Sequence, residues 1–384
     1  MENRSSFAVA MRLLQTLREA RRTHDPLIEV RISKQAIEEN YCAFARAYPI
    51  PLAPVLKSNA YGHGLLEIAD ILVSLHPPLI VVDSIYEAQL LRRNGVRTPL
   101  LIIGYTRPEA IRKNRLRDVA FTITSLEGLR ALALMRVSAR VHIKFDTGMR
   151  RQGLLPEESD EAMRLLRGTW LQVEGVCSHF ADADGQDEIF TRKQILEWNE
   201  LVPKWREAFP RLRYWHLAAT AGAAFMKDID ANMMRLGTGL YGFPRHALQT
   251  FDLMPALSMH SVITGIKDLA IGESVGYNCT FRAKVPMRIA TVPAGYFEGV
   301  DRRLSSAGSV LVEGVACSIV GRVSMNITII DVSNCPSAQL ETPVMICSDK
   351  PEDPNSLVHL ADICKTTPLE LLVHIPQHLR RRVM

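Results

Sequence analysis

A lysine ends the short apolar run Leu52-Ala53-Pro54-Val55-Leu56-Lys57, and Ser58-Asn59-Ala60-Tyr61-Gly62-His63-Gly64 follows at once. A lysine at a strand end is partly desolvated. That lowers its pKa and favours the free amine, the form that nucleophilic and Schiff-base chemistry requires. The same residue in the same place equally suits an ion pair. The two glycines let backbone approach a ligand closely. A second stretch, Gly237-Thr238-Gly239-Leu240-Tyr241-Gly242, has the literal spacing G-x-G-x-x-G. Alone this is a weak dinucleotide signal. Pro244, with no long helical pattern after it, argues against a Rossmann unit. The amides of Gly237 and Thr238 can instead cradle a single phosphate. Lys144, Asp146 and His179 end two further apolar runs. By type alone they are polar strand-end residues, and a lone histidine there is more often a satisfied core residue than a catalyst.

These side chains need a scaffold, and the apolar pattern supplies one. Short apolar runs at 52–56, 79–83, 100–104, 118–123, 141–146, 173–179, 214–218 and 234–237 read as strands. Helical patterns such as 85–94, 125–135, 157–166 and 193–208 lie between them. Eight strands joined by crossovers predict a (β/α)8 TIM barrel, in which active residues sit at the C-terminal ends of the strands. After Leu257 strand-like runs follow one another directly, at 258–266, 287–293, 309–312, 327–332 and 343–347, which predicts a mostly β domain. Ile28, Val30 and Ile32 alternate with polar residues as an early strand, with Ser33 at a helix N-cap. Thr367-Pro368 marks a last helix start. The expected division is a 1–27 extension, a 28–255 barrel and a 256–384 β domain, with the strand at 28–33 a candidate member of the latter.

The stretch 54–64 resembles the pyridoxal-phosphate lysine motif of the alanine racemases, fold-type III pyridoxal-phosphate enzymes. The resemblance runs from residue 28 to 375 and rests on several motifs in order. They are HIKFDTGMRRQG at 142–153, CSHFADAD at 177–184, HLAAT at 216–220, MRLGTGLYG at 234–242, ESVGYNCT at 273–280 and VGRVSMN at 320–326. It implies that Lys57 carries pyridoxal phosphate and serves as one catalytic base. Tyr277 would be the second, reaching the active site of the other subunit of a head-to-tail homodimer. A tyrosine ordinarily titrates near pH 10, so it needs positive charge nearby, which Arg235 would supply through His179. His179 would lie behind that tyrosine and beside the cofactor ring. Arg151 would sit beside the phenolic oxygen and hold the substrate carboxylate, a role suited to a permanently charged two-pronged donor. Lys144 matches a lysine often carbamylated in the family. Arg235 would face the pyridine nitrogen and leave it unprotonated, weakening the electron sink and limiting side reactions. Tyr61, Thr220, Gly237 and Thr238 would hold the phosphate, and the Met325 amide the substrate carboxylate.

The chain departs from the family pattern at Ala219, where asparagine is usual, and at Glu298 and Asn326, where aspartate is usual. Gln377 stands where a tyrosine is common. These departures bear on substrate choice and turnover. Alanine is the expected amino-acid substrate, because the family pocket is small, with serine or another small amino acid as the alternative. A decarboxylase of the same architecture would carry a cysteine in place of the Tyr277 motif. A non-catalytic cofactor carrier would lack the β domain.

Composition narrows the classes. With 47% hydrophobic and 23% charged residues the chain reads as an ordinary globular protein. A net charge of +5 over 384 residues is mild, and no basic stripe suggests nucleic acid. The densest basic cluster, Arg380-Arg381-Arg382, reads as a solvated tail. No run approaches a membrane span. Seven scattered cysteines without C-x-x-C spacing suit reduced thiols in the cytoplasm and neither disulfides nor a metal site. Phe7, Met11, Leu14 and Leu17 share one face of an expected amphipathic surface helix over 7–22.

Overall fold

The computed structural model describes residues 25–243 and 251–384. The helix expected over 7–22 lies outside the described residues. The chain divides into two units. One comprises 37–60 and 68–253. The other comprises 25–36, 61–67 and 254–384.

After β1 (Glu29–Ile32), which belongs to the second unit, eight strands build the first. They are β2 (Leu52–Pro54), β3 (Ile80–Val82), β4 (Leu100–Ile102), β5 (Val119–Ile123), β6 (Arg140–Lys144), β7 (Gln172–Cys177), β8 (Tyr214–His216) and β9 (Met234–Leu236). Strands β3 to β8 form one sheet in sequence order, and β2 pairs with β9. Every pairing is parallel. A Val55–Val81 bridge joins β2 to β3, and the Arg235 N–H donates to the Ala218 carbonyl at 3.1 Å beyond the end of β8. The eight runs read from the sequence are these eight strands, and the circuit they make is the expected barrel. Most are apolar throughout because parallel strands are covered on both faces. Capping serines set two of the helices: Ser84 accepts from the Glu87 N–H and Ser125 from the Gly128 N–H. The link from β8 to β9 departs from the pattern, being a 3-10 turn, Ala221–Phe225.

The second unit is mostly β. Its strands are β10 (Leu257–Val262), β11 (Gly265–Leu269), β12 (Ser274–Val275), β13 (Phe281–Arg282), β14 (Met287–Val292), β15 (Ser309–Val312), β16 (Val315–Ser318), β17 (Thr328–Asp331), β18 (Pro343–Cys347) and β19 (Arg380–Val383). One sheet runs β16-β15-β18-β10-β1-β19, and a three-stranded sheet runs β11-β14-β17. The run 258–266, expected as one strand, is two. The Ile263 N–H continues the β10–β18 register to the Thr342 carbonyl at 3.0 Å, but the Thr264 N–H donates to the Thr291 carbonyl at 2.9 Å and begins the pairing with β14, so the chain changes sheet there. The basic terminus is no solvated tail. Arg380–Val383 is the edge strand, parallel to β1. The Arg381 guanidinium donates to the carbonyls of Gly62, Pro376 and Leu379 at 2.8 to 3.0 Å. Five fixed donors on one side chain can tie loop carbonyls that have no ladder partner. A count of charges cannot reveal that use. The helix expected after Thr367 is Pro368–Val373.

Candidate active site

Lys57 follows β2 and is half-buried. Its amine makes no hydrogen bond or ion pair among the described residues. Burial pulls its pKa below the ordinary lysine value; Asp83 opposes this, and Arg151 and Arg235 reinforce it. The residues after it, Ser58, Asn59 and Ala60, have φ of 56°, 55° and 52°. L-residues pay roughly 1–2 kcal/mol each for a left-handed turn, so something must hold it. Glu87 does: one carboxylate oxygen accepts from the Ser58 N–H at 2.7 Å, the other from the Asp83 N–H at 2.7 Å. The sequence reading missed this role. The S-x-x-E spacing of Ser84 and Glu87 marks a helix start, but nothing local reports a reach to Ser58.

Lys144 ends β6, and burial lowers its pKa too. Asp146, just beyond, organises the Arg151 loop. It accepts from the N–H groups of Gly148 and Arg150 at 2.9 Å and of Arg151 at 3.0 Å. Burial alone would raise its pKa, yet these donors hold it below the usual range. The Arg151 guanidinium is left exposed, without a hydrogen bond or ion pair among the described residues.

Arg235, in β9, is 6% exposed and donates in several directions. Its guanidinium reaches the carbonyls of Ser178 and Leu217 at 2.8 Å, His179 Nδ1 at 3.0 Å, and His216 Nδ1. A guanidinium only donates. Both histidines therefore accept at Nδ1 and carry their proton on Nε2. His216 Nε2 then donates to His142 Nδ1 at 3.0 Å, which leaves the buried His142 Nε2–H unpartnered among the described residues. Burial first and Arg235 second depress all three imidazoles, His142 to about 3. His179 also feels Lys144, Arg151 and Lys57, which gathers the predicted cations around one point. His142 and His216 were not singled out from sequence, because buried histidines carry no local signal.

Gly175 makes room for this chain. A register shift in the β6–β7 ladder sets it opposite His142, and a Cβ there would lie 2.5 Å from His142 Nδ1. Gly175→Ala should therefore cost roughly 1–3 kcal/mol through overpacking. Urea unfolding measures it, and an unchanged midpoint would show that the ring moves freely.

Thr220 Oγ1 accepts from the N–H groups of Gly237 and Gly239, both at 3.2 Å, which leaves its own O–H to donate outward. Thr238 Oγ1 is buried without a partner among the described residues. Tyr61, Tyr277 and Met325 belong to the second unit. Tyr61 is half-buried at φ 52°, whereas Tyr277 is 63% and Met325 56% exposed.

The first unit thus presents the side-chain cations of Lys57, Lys144 and Arg151, none ion-paired among the described residues, beside Arg235 and two hydroxyls. Such a donor set fits an anionic cofactor with a phosphate and an aldehyde, and the orphaned Thr238 hydroxyl is where an acceptor is wanting. The chain matches the family model of the alanine racemase N-terminal domain over residues 32–244 and of the C-terminal domain over 256–383. It is 35% identical to an alanine racemase of Syntrophobacter fumaroxidans over 357 residues, 90% of this chain and 94% of that one. Among solved structures it resembles the alanine racemase of Bacillus anthracis with bound L-Ala-P, at 30% identity and a TM-score of 0.87, covering 94% and 96% of the two chains. It also resembles that of Clostridium difficile 630, at 27% identity and a TM-score of 0.88, covering 94% and 97%. Two domain matches that leave little of the chain uncovered, on a barrel with a cationic mouth and a β unit behind it in sequence, make this chain a member of the alanine racemase family.

Proposed function

We propose that the chain is a pyridoxal-phosphate-dependent enzyme that interconverts L- and D-alanine. The observation that carries this beyond family membership is the half-buried, unpaired Lys57 amine, held by a strained turn amid other cations. Lys57, Tyr61, Arg151, His179, Thr220, Arg235, Gly237 and Thr238 would hold the cofactor. When bound, pyridoxal phosphate draws electrons from the amino-acid Cα and acidifies its C–H bond. The protein then needs a base on each face of a planar carbon. Lys57 Nζ takes or returns the proton on the D side. Tyr277 of the partner subunit does so on the L side. The exposure of Tyr277 in the single chain supports a partner's site as its destination. Tyr296, Phe297, Met325 and Ile327 are each at least 42% exposed in the same unit, which supports a covering homodimer partner. Arg151 and the Met325 N–H hold the carboxylate. Arg235, permanently charged, offers a proton to the ring nitrogen without surrendering it. The depressed pKa of Lys144 supports its carbamylation, since carbamate forms on the free amine.

No helix among the described residues is long and apolar enough to cross a membrane. All seven cysteines are free thiols, which supports work in the cytoplasm, supplying D-alanine for cell-wall precursors.

The test is formation of D-alanine from L-alanine by the purified, cofactor-loaded protein. Tyr277→Phe should lower turnover by about 10²–10⁴-fold, the usual worth of one positioned acid–base group. Full turnover in that variant would end the two-base reading. Release of carbon dioxide would point to a decarboxylase, and faster turnover of serine would move the substrate.

A further inference from the structure

Two of the departures from the family pattern touch each other. The Asn326 side-chain amide donates to Glu298 Oε1 at 2.7 Å. Glu298 is 7% exposed, and its other oxygen accepts from the Gly295 N–H at 2.8 Å. Around this contact two turns are stitched together. The Tyr296 N–H donates to the Ser324 carbonyl at 3.0 Å, and the Phe297 N–H to the Met325 carbonyl at 2.9 Å. The turns approach so closely that a Cβ on Gly295 would lie 2.2 Å from the Ser324 oxygen.

The peptide plane between Ser324 and Met325 is thereby fixed. In a trans peptide the C=O and N–H point in opposite directions. With the Ser324 C=O tied down to Tyr296, the Met325 N–H must face away from that turn. It has no acceptor among the described residues. It is a donor of set direction on an exposed residue.

We propose that Glu298 and Asn326 are a matched carboxylate–amide pair that positions the Met325 N–H, and through it sets the affinity of the site for the substrate carboxylate. The inference rests on the reading that Met325 binds that carboxylate. Its chemistry explains why the two departures occur together: glutamate is one methylene longer than the aspartate usual at 298, and it is this longer side chain whose carboxylate meets residue 326. A carboxylate at 326 would face the Glu298 carboxylate at hydrogen-bond distance, and like charges so placed repel. The amide turns that contact into a charge-assisted hydrogen bond. Both side chains would act through the Met325 N–H, so both are positioning residues.

The experiment compares Asn326→Asp, Glu298→Gln and the double variant in the cofactor-loaded enzyme. Each single variant should raise KM for L-alanine about tenfold, the worth of one hydrogen bond to a charged group, with a smaller change in kcat. The double variant should return KM to near the original. In it the amide now at position 298 can donate to the carboxylate now at position 326, while the carbonyl oxygen of that amide still accepts from the Gly295 N–H. Hydrogen exchange at the 324–326 segment is measured alongside. Exchange and KM that rise in the singles and recover in the double support the proposal. Singles that leave both unmoved, or a double no better than the worse single, overturn the pairing. Exchange that rises while KM stays put overturns the Met325 reading, and the proposal with it. Absence of racemisation in the unaltered protein overturns the functional reading as a whole.

Discussion

Lys57→Ala should abolish racemisation, lowering turnover by at least about 10³-fold, and the protein should lose its pyridoxal phosphate on gel filtration. The argument is one of position and protonation. Burial lowers the Lys57 pKa, so a larger share of this amine is free at neutral pH than on an exposed lysine, and a free amine is what the cofactor aldehyde needs. No neighbour can take its place. Lys144 is desolvated too, but it ends a different strand, four places along the circuit. Borohydride treatment should fix the cofactor covalently to the unaltered protein at Lys57 and not to the variant. The same variant tests the shared site. Lys57→Ala and Tyr277→Phe homodimers should both be inactive. In a mixed dimer one site collects both defects and the other is intact. Random exchange of equal amounts should therefore restore about a quarter of the original turnover. No recovery on mixing, with subunit exchange verified by mass, would place both bases in one chain.

Much of this molecule could be read from the sequence because its signals are local. Eight apolar runs with helical patterns between them dictate a barrel, since parallel strands must be covered on both faces. Lys57 stood out as a candidate because a lysine ending such a run contradicts the pattern that precedes it; its expected role came from the family resemblance. What stayed hidden depends on contacts distant in sequence. Glu87 reaches Ser58 across 29 residues, and Arg381 reaches Gly62 across 319. His142 and His216 sit inside apolar strands and gain meaning only from their order around Arg235. The pairing of Glu298 with Asn326 spans 28 residues, and each looked like an isolated departure. The break within 258–266 was invisible because Ile263 is as apolar as its neighbours, and the change of sheet is set by the Thr291 carbonyl, 27 residues away, which takes the Thr264 N–H.

Arg235→Ala should be the most destabilising single change in the barrel, costing about 3–5 kcal/mol. The side chain is buried at the ends of β7 and β8, and the carbonyls of Ser178, Leu217 and His216 accept from it. Removing it strands the Ser178 and Leu217 oxygens and two imidazole nitrogens at once, in a place where each unsatisfied polar atom is costly, while the His216 carbonyl keeps the Ser178 N–H. Arg235→Lys should recover part of the loss, because an ammonium keeps the charge but cannot span the same acceptors as a planar fork. A second readout separates lost packing from lost charge. Burial is the first cause of the low pKa values of His179 and His216, and Arg235 is the second. Both should therefore titrate higher in Arg235→Ala while remaining below an exposed histidine, as imidazole NMR would show. The sign extends to stability. These groups have folded-state pKa values below their unfolded ones. As pH falls through about 6.5, the unfolded chain takes protons that the folded one refuses, and stability declines. In the variant that decline should be shallower, because the folded imidazoles accept protons more readily. A variant as stable as the original, with unmoved imidazole resonances, would mean that Arg235 is not the hub of this network.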